Sequence, residues 1–176
     1  MMDENISNGY GRDMGIDPDT ENLNGLRAFA RLGDFLNEDG WYPQQLKGKH
    51  VYSTNYSGQN GTVRCYAQIR VDLEQFIFYV LVPINAPTDN LPQVAEYITR
   101  ANFGMRVGNF ELDYSDGEIR YKSSLDFEGE VLSNNLIKNV IYPAVQTTDR
   151  YLSGLLSVIY GGKTALEAIT EVEGSE

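Results

Sequence analysis

Among 176 residues there is one cysteine, Cys65, and one histidine, His50. A lone cysteine excludes an internal disulfide framework and points to a reducing cytoplasm. No apolar run approaches the roughly 18 residues needed to cross a bilayer, which argues against a membrane-spanning helix. The opening MMDENISNGYGRDMGIDPDTEN is acidic and polar, the opposite of a signal peptide's basic and apolar design. No cluster of lysine and arginine marks a surface that would track phosphates, so nucleic acid and anionic membrane are poor partners. No internal repeat and no proline- or serine-rich linker divides the chain. It is long enough to bury a core of its own without metal or disulfide staples.

What is present is acid, unevenly placed. The formal net charge is −11. Residues 1–22 hold six acids and one arginine, and residues 167–176 hold four acids and no base, so the body between them is nearly balanced. Acidic ends maintain solubility and repel polyanions. Residues 1–19 read as a mobile acidic tail, residues 20–170 as one domain, and residues 171–176 as an acidic C-terminal tail.

Periodicity supplies the elements. Leu23, Leu26, Phe29, Ala30, Gly33 and Leu36 recur at spacings of three and four and predict a helix over 20–39, stopped by Gly40 and Pro43. Three strands follow, over 50–56, 62–71 and 76–84. In the second, Val63, Cys65, Ala67, Ile69 and Val71 alternate with polar residues, which predicts one buried face. The third, FIFYVLVPI, is apolar on both faces. Either it is covered on both sides, or its outer residues Ile77, Tyr79 and Leu81 meet a partner.

Asn90 and Pro92 predict the cap and first turn of a second helix ending near Asn102. A hairpin follows, turning on Asp116-Gly117, a pair suited to a two-residue loop with positive φ at both positions. Its second strand puts Ile119, Tyr121, Leu125 and Phe127 on one face and Glu118, Arg120, Lys122 and Asp126 on the other. Ser133 caps a long apolar helical stretch to Ile159, in which Pro143 predicts a kink or short break. Thr164 and Glu167 form a capping box for a last helix. The order α-β-β-β-α-β-β-α-α predicts an α+β fold, with an antiparallel sheet covered by helices on one face.

The helix running into Asn102, then Gly108-x-Phe110-Glu111-Leu112-Asp113 and Asp116-Gly117-Glu118-Ile119-Arg120-Tyr121, together with NVIYPAVQTTDRYLSGLLSVIYGG and TALEAI, resemble the YbjN family of bacterial sensory-transduction regulators. The resemblance covers about residues 88–170 closely and the first part by element order. It implies a type III secretion chaperone-like fold, a scaffold that commonly dimerises and binds polypeptide. It implies no catalytic residue and no cofactor.

Other chemical patterns fail on inspection. Gly162-Lys163-Thr164 resembles the end of a phosphate loop, but Ser157 stands where the first glycine is required and a helix, not a strand, precedes it. Asp113, Asp116 and Glu118 crowd a hairpin tip without the ligand rhythm of a calcium loop, and Asp17, Asp19 and Glu21 lack the glycine and glutamate that such a loop needs. His50 and Cys65 could form a base–nucleophile pair, but Cys65 lies in phase with Val63 and Ala67 and reads as a small core residue. Trp41 and Tyr42 could anchor a partner or close the end of the core. The expectation is a non-enzymatic cytoplasmic homodimer that binds another polypeptide through Ile77, Tyr79, Leu81, Trp41 and Tyr42. A small-molecule sensor with a pocket between sheet and long helix is the alternative, and an enzyme with an unrecognised site is a distant third.

Overall fold

The computed structural model of the chain describes residues 23–174. The acidic lead over 1–19, the first residues of the helix expected from 20, and residues 175–176 lie outside them. Six strands form one sheet: β1 (Gln44–Gln45), β2 (Val51–Ser57), β3 (Thr62–Arg70), β4 (Gln75–Leu81), β5 (Asn109–Leu112) and β6 (Ile119–Asp126). Their spatial order is β1-β2-β3-β4-β6-β5, with every pairing antiparallel. Four helices accompany them: α1 (Leu23–Glu38), α2 (Leu91–Asn102), α3 (Asn134–Ile159) and α4 (Ala165–Glu173). The fold is α+β and follows the order expected from the sequence, with the two-residue β1 added at one edge. Among the described residues, no helix is long and apolar enough to cross a membrane.

Strand alternation explains why one face of the sheet receives all four helices. Cys65, Ala67 and Ile69 of β3, Phe76, Phe78 and Val80 of β4, and Ile119 and Tyr121 of β6 point to the same side. They share one buried cluster with Leu32 and Leu36 of α1, Val94 and Tyr97 of α2, Ile141 and Leu155 of α3, and Ile169 of α4. Burying a side chain of this size is worth about 1.5–3 kcal/mol. A one-residue slip of β4 would turn Phe76, Phe78 and Val80 to water together, so the register of the central strand is tightly specified.

Four local expectations need correction. The buried face of α1 is Gly25, Ala28, Leu32, Gly33, Phe35 and Leu36, while Leu23 is 57% exposed and Ala30 is also exposed. Small residues decide the rotation, because a Cβ at Gly25 would fall 2.3 Å from the carbonyl oxygen of Val71. Asn90 precedes α2 but does not cap it, since its Nδ2 donates instead to the carbonyl of Val158 at 3.4 Å. α3 runs for 26 residues with Pro143 inside it, so the short break offered there does not occur. Glu171 and Glu173, expected in a tail, belong to α4. Glu171 pairs with Lys163, and Glu173 accepts from the Tyr151 hydroxyl at 3.0 Å.

The hairpin also turns differently. Asp113 N donates to Glu118 O at 2.9 Å and Gly117 N donates to Asp113 O at 2.8 Å, so residues 114–117 make the turn rather than two residues. Gly117 has a φ of +76°, and Asp116 is not in the positive region. The cause is local side-chain bonding: Asp113 Oδ1 accepts from Ser115 N and Oγ, and Asp116 Oδ1 accepts from Glu118 N. The tip then seats on the loop after β4, where Ala86 N donates to Gly117 O at 2.8 Å. A Cβ at Gly117 would meet Ala86 O at 2.1 Å, so only glycine fits. The capping predictions at Ser133 and Thr164 match: Leu136 N donates to Ser133 Oγ, and Thr164 and Glu167 make a reciprocal box.

Candidate partner-binding face

The side of the sheet away from the helices has its own register. Val51, Gln68, Ile77 and Ser124 lie in one row, and Ser53, Tyr66, Tyr79 and Lys122 in the next. Asn55, Arg64, Leu81, Arg120 and Glu111 make a third. Val51, Tyr66 and Tyr79 form a second, smaller apolar cluster, flanked by the half-buried Leu46, Ile77 and Leu81. Ile77, Tyr79 and Leu81 thus stand together on the face away from the helices, the side their spacing assigned them. Tyr79 is only 8% exposed although no helix among the described residues covers it.

Charge borders this cluster. The Arg120 guanidinium lies 4.7 Å from the centre of the Tyr79 ring. It also donates through Nε to Glu111 Oε2 at 2.7 Å, while Lys122 Nζ pairs with the other carboxylate oxygen. Burial alone would push the Glu111 carboxyl up, but the hydrogen bonds and charges of Lys122 and Arg120 together outweigh it and hold the group below its ordinary value. Arg70, Leu73, Gln75, Ile77, Tyr79 and Arg120 line a groove of about 440 Å³ that runs along this face. The sequence placed Arg120 and Lys122 on the wet side of their strand but did not link them to Tyr79. The signal was the hairpin register, which sets Glu111 opposite Arg120.

Trp41 and Tyr42 part company. Trp41 is 9% exposed, stacks on Tyr56 and meets Phe78 and Tyr142 edge-on, with Nε1 donating to Asp39. It closes the end of the core. Tyr42 is 85% exposed with a φ of +51°.

The patterns considered for catalysis do not converge. Cys65 is fully buried and its thiol is pushed up to about 12 by desolvation. His50 is exposed, stands opposite Ile69 on the β2–β3 ladder, and is therefore four residues, about 13 Å, along the strand from Cys65. Gly162 is a helix stop with a φ of +67°. Among the described residues, no group of His, Cys, Asp or Glu is arranged to hold a metal ion.

Three polar residues fix the frame, two of which, Asp149 and Glu74, the sequence did not single out. Asn102 accepts from Phe110 N at 2.7 Å and donates to Phe110 O at 3.0 Å, sealing the outer edge of β5. Asp149 of α3 accepts from the amides of Gln59 and Asn60, clamping the β2–β3 turn. Glu74, with a φ of +50°, accepts from Asn24 Nδ2 and Gly129 N and so ties the start of α1 to the β3–β4 turn. The contacts of Asp149 and Glu74 span distant sequence, so neither leaves a local pattern. The Asn102 and Gly108 positions that prompted the family resemblance have structural work here, since Gly108 lies tight beneath Tyr121, whose hydroxyl donates to Val107 O.

A six-stranded antiparallel sheet with its helices on one side, in this order, defines an α+β protein with a type III secretion chaperone-like fold. The family model for YbjN, described as "putative bacterial sensory transduction regulator", matches residues 29–157, and the chain belongs to that family. It is similar in structure to the crystal structure of YbjN from E. coli, with a TM-score of 0.54 at 10% identity, over 76% of this chain and 89% of that one. It is similar to a chain of the HopA1–SchA chaperone–effector complex, with a TM-score of 0.50 at 14% identity, over 69% of this chain and 90% of that one. A chain of the ExsC–ExsE complex has a TM-score of 0.49 at 12% identity, over 74% of this chain and 93% of that one. At these identities the likeness is one of fold. No curated protein matches the sequence.

Proposed function

We propose that the chain is a non-enzymatic protein of the bacterial cytoplasm that binds another polypeptide through the open face of its sheet and acts as a homodimer. The observation that carries this reading is the apolar cluster of Val51, Tyr66, Ile77, Tyr79 and Leu81 on a face that no helix among the described residues covers. An aromatic anchor surrounded by charge is the anatomy of a protein interface. A chaperone–effector complex among the structures of similar fold is consistent with it. A two-fold dimer through this face would use the same patch on both chains.

Native mass spectrometry of the protein from its own host, compared for wild type, Tyr79→Glu and Leu81→Glu, tests the proposal. A dimer or a bound polypeptide that the charge variants lose, while keeping the wild-type circular dichroism spectrum, is the expected result. Folded variants that associate as the wild type does would remove this face from the function.

A second reading keeps one specific observation. A cleft of about 590 Å³ lies beside α3, lined by Phe103, Arg106, Tyr121, Thr147, Arg150 and Tyr151. The space directly between sheet and long helix is filled by Ile137, Ile141, Ala144 and Val145, so a small ligand would lodge at this margin rather than inside. A fixed small added mass on the native protein, in place of a polypeptide, would favour it.

A further inference from the structure

An Asn-Gly pair carries a chemistry of its own. With no side chain on the glycine, its backbone nitrogen can reach the Cγ of the preceding asparagine and displace the side-chain amide. The chain has three such pairs, Asn8-Gly9, Asn24-Gly25 and Asn60-Gly61. The first lies outside the described residues. Asn24-Gly25 sits in the first turn of α1, where Asn24 Nδ2 donates to Glu74 Oε2 at 2.8 Å and to Glu130 O at 3.0 Å. The helical ψ there directs the Gly25 nitrogen away from the Asn24 side chain, so a ring cannot close without unwinding the turn.

Asn60-Gly61 is placed otherwise. It lies in the β2–β3 turn, outside any helix or strand, with Asn60 exposed. Gly61 O accepts from Gly58 N at 2.9 Å, but the Gly61 N–H has no hydrogen-bond partner among the described residues. Close packing of the turn on α3 favours glycine here, since a Cβ at Gly61 would lie 2.9 Å from Leu152 Cδ2. The residue that lets the turn pack is thus the one that leaves ring closure unhindered. The restraint comes from Asp149. Its carbonyl accepts from Asn60 Nδ2 at 3.0 Å, and its carboxylate accepts from Asn60 N at 2.8 Å and Gln59 N at 2.9 Å. Arg150 lines the same cleft and donates to the Val172 carbonyl of α4 at 3.3 Å.

We infer that Asn60 is a site of spontaneous deamidation, restrained by Asp149, and that the reaction releases the β2–β3 turn from α3. The Gly61 nitrogen attacks Asn60 Cγ, and a C–N bond forms as the Cγ–Nδ2 bond breaks. Nδ2 leaves as ammonia, taking the Gly61 proton. Water then opens the cyclic imide at either carbonyl, leaving aspartate or isoaspartate at this position. Water enters, ammonia departs, and nothing else is consumed. Either product replaces the Nδ2 donor by a carboxylate oxygen, set against the Asp149 carbonyl and near the Asp149 carboxylate. Facing acceptors and like charges oppose the clamp. Isoaspartate also routes the backbone through the side chain, which lengthens the turn and disturbs the Gly58–Gly61 bond.

The experiment uses the full chain and needs no partner. The protein is kept warm in mildly alkaline buffer and then digested. The peptide containing Asn60 is followed by mass and by chromatography, which separates the aspartate and isoaspartate forms. Conversion at Asn60 to both products, with Asn24 intact, is the expected result. Reaction requires local opening, so Asp149→Ala should speed it by about 5–30-fold, the factor that about 1–2 kcal/mol of lost restraint sets in an equilibrium. The chain unfolded in urea should convert Asn24 and Asn60 alike. An Asn60 that reacts in urea but stays intact in the folded protein would overturn the site. Equal rates in wild type and Asp149→Ala would overturn the restraint. Asn60→Asp carries one product from the outset and tests the consequence without the Asp149 variant. Hydrogen exchange should show protection lost at the amides of Gln59 and its neighbour while α2 and α4 keep theirs. Wild-type protection in the turn of that variant would overturn the release.

Discussion

Gly154 sits in the middle of α3, where alanine would ordinarily favour the helix by about 1 kcal/mol. Here a Cβ would lie 2.1 Å from the Tyr97 hydroxyl, which donates to the Tyr151 carbonyl at 3.0 Å within the core. Packing opposes propensity and outweighs it. Gly154→Ala should lower stability by about 1–3 kcal/mol in urea unfolding, the usual range for overpacking, and a gain would refute the contact. Glu111 makes a prediction of different kind. Its folded pKa is depressed by Lys122 and Arg120, so protons bind the unfolded chain more readily than the folded one. The contribution to stability is therefore complete above the ordinary value of 4.5 and fades as pH falls through the lower folded value. Melting curves of wild type and Glu111→Gln should diverge above that range and converge below it. A constant gap at every pH would mean that the carboxylate's charge is not what the two cations hold.

Among the elements, the strands were the most legible in the sequence, because a period of two assigns faces without knowledge of neighbours. Val63, Cys65, Ala67 and Ile69 point inward as their alternation requires, and Ile77, Tyr79 and Leu81 point away from the helices. Helix α1 was read at the right place, with Gly33 and Leu36 buried as expected, but with its face rotated at the start. Leucines at spacings of three and four drew attention to Leu23 and Leu26, whereas Gly25 and Ala28 set how closely the helix approaches the turn after β3. Close approach by small residues leaves no hydrophobic signature. The clamp on the β2–β3 turn left no signal, since Asp149 lies 90 residues from Gln59. Asp149→Ala should cost about 1–2 kcal/mol, the scale of charge-assisted hydrogen bonds discounted for partial exposure. Hydrogen exchange should show lost protection at the Gln59 and Asn60 amides first, and unchanged exchange there would refute the clamp.

For the molecule as a whole, the element order and the one-sided sheet could be read from periodicity, and the family from the residues between Asn102 and Tyr121. The candidate face was only half legible. Its apolar residues lie in one strand, but Arg120, Glu111 and Lys122 join them through pairings between strands that are distant in sequence. Trp41 illustrates the converse limit, because an aromatic after a helix reads alike whether it ends in solvent or, as here, against Tyr56 and Phe78. Charge was visible as a total and as two acidic ends.

The seating of the hairpin tip on Ala86 has a practical consequence for anyone modifying this protein. A surface hairpin is the customary place to splice in an epitope or a fluorescent reporter. Here an insertion beside Gly117 would lever the β5–β6 pair off the loop that leads into α2. A Cβ at Gly48, by contrast, would meet nothing within 4 Å. Gly48 is the better splice point, and the hairpin should be left intact.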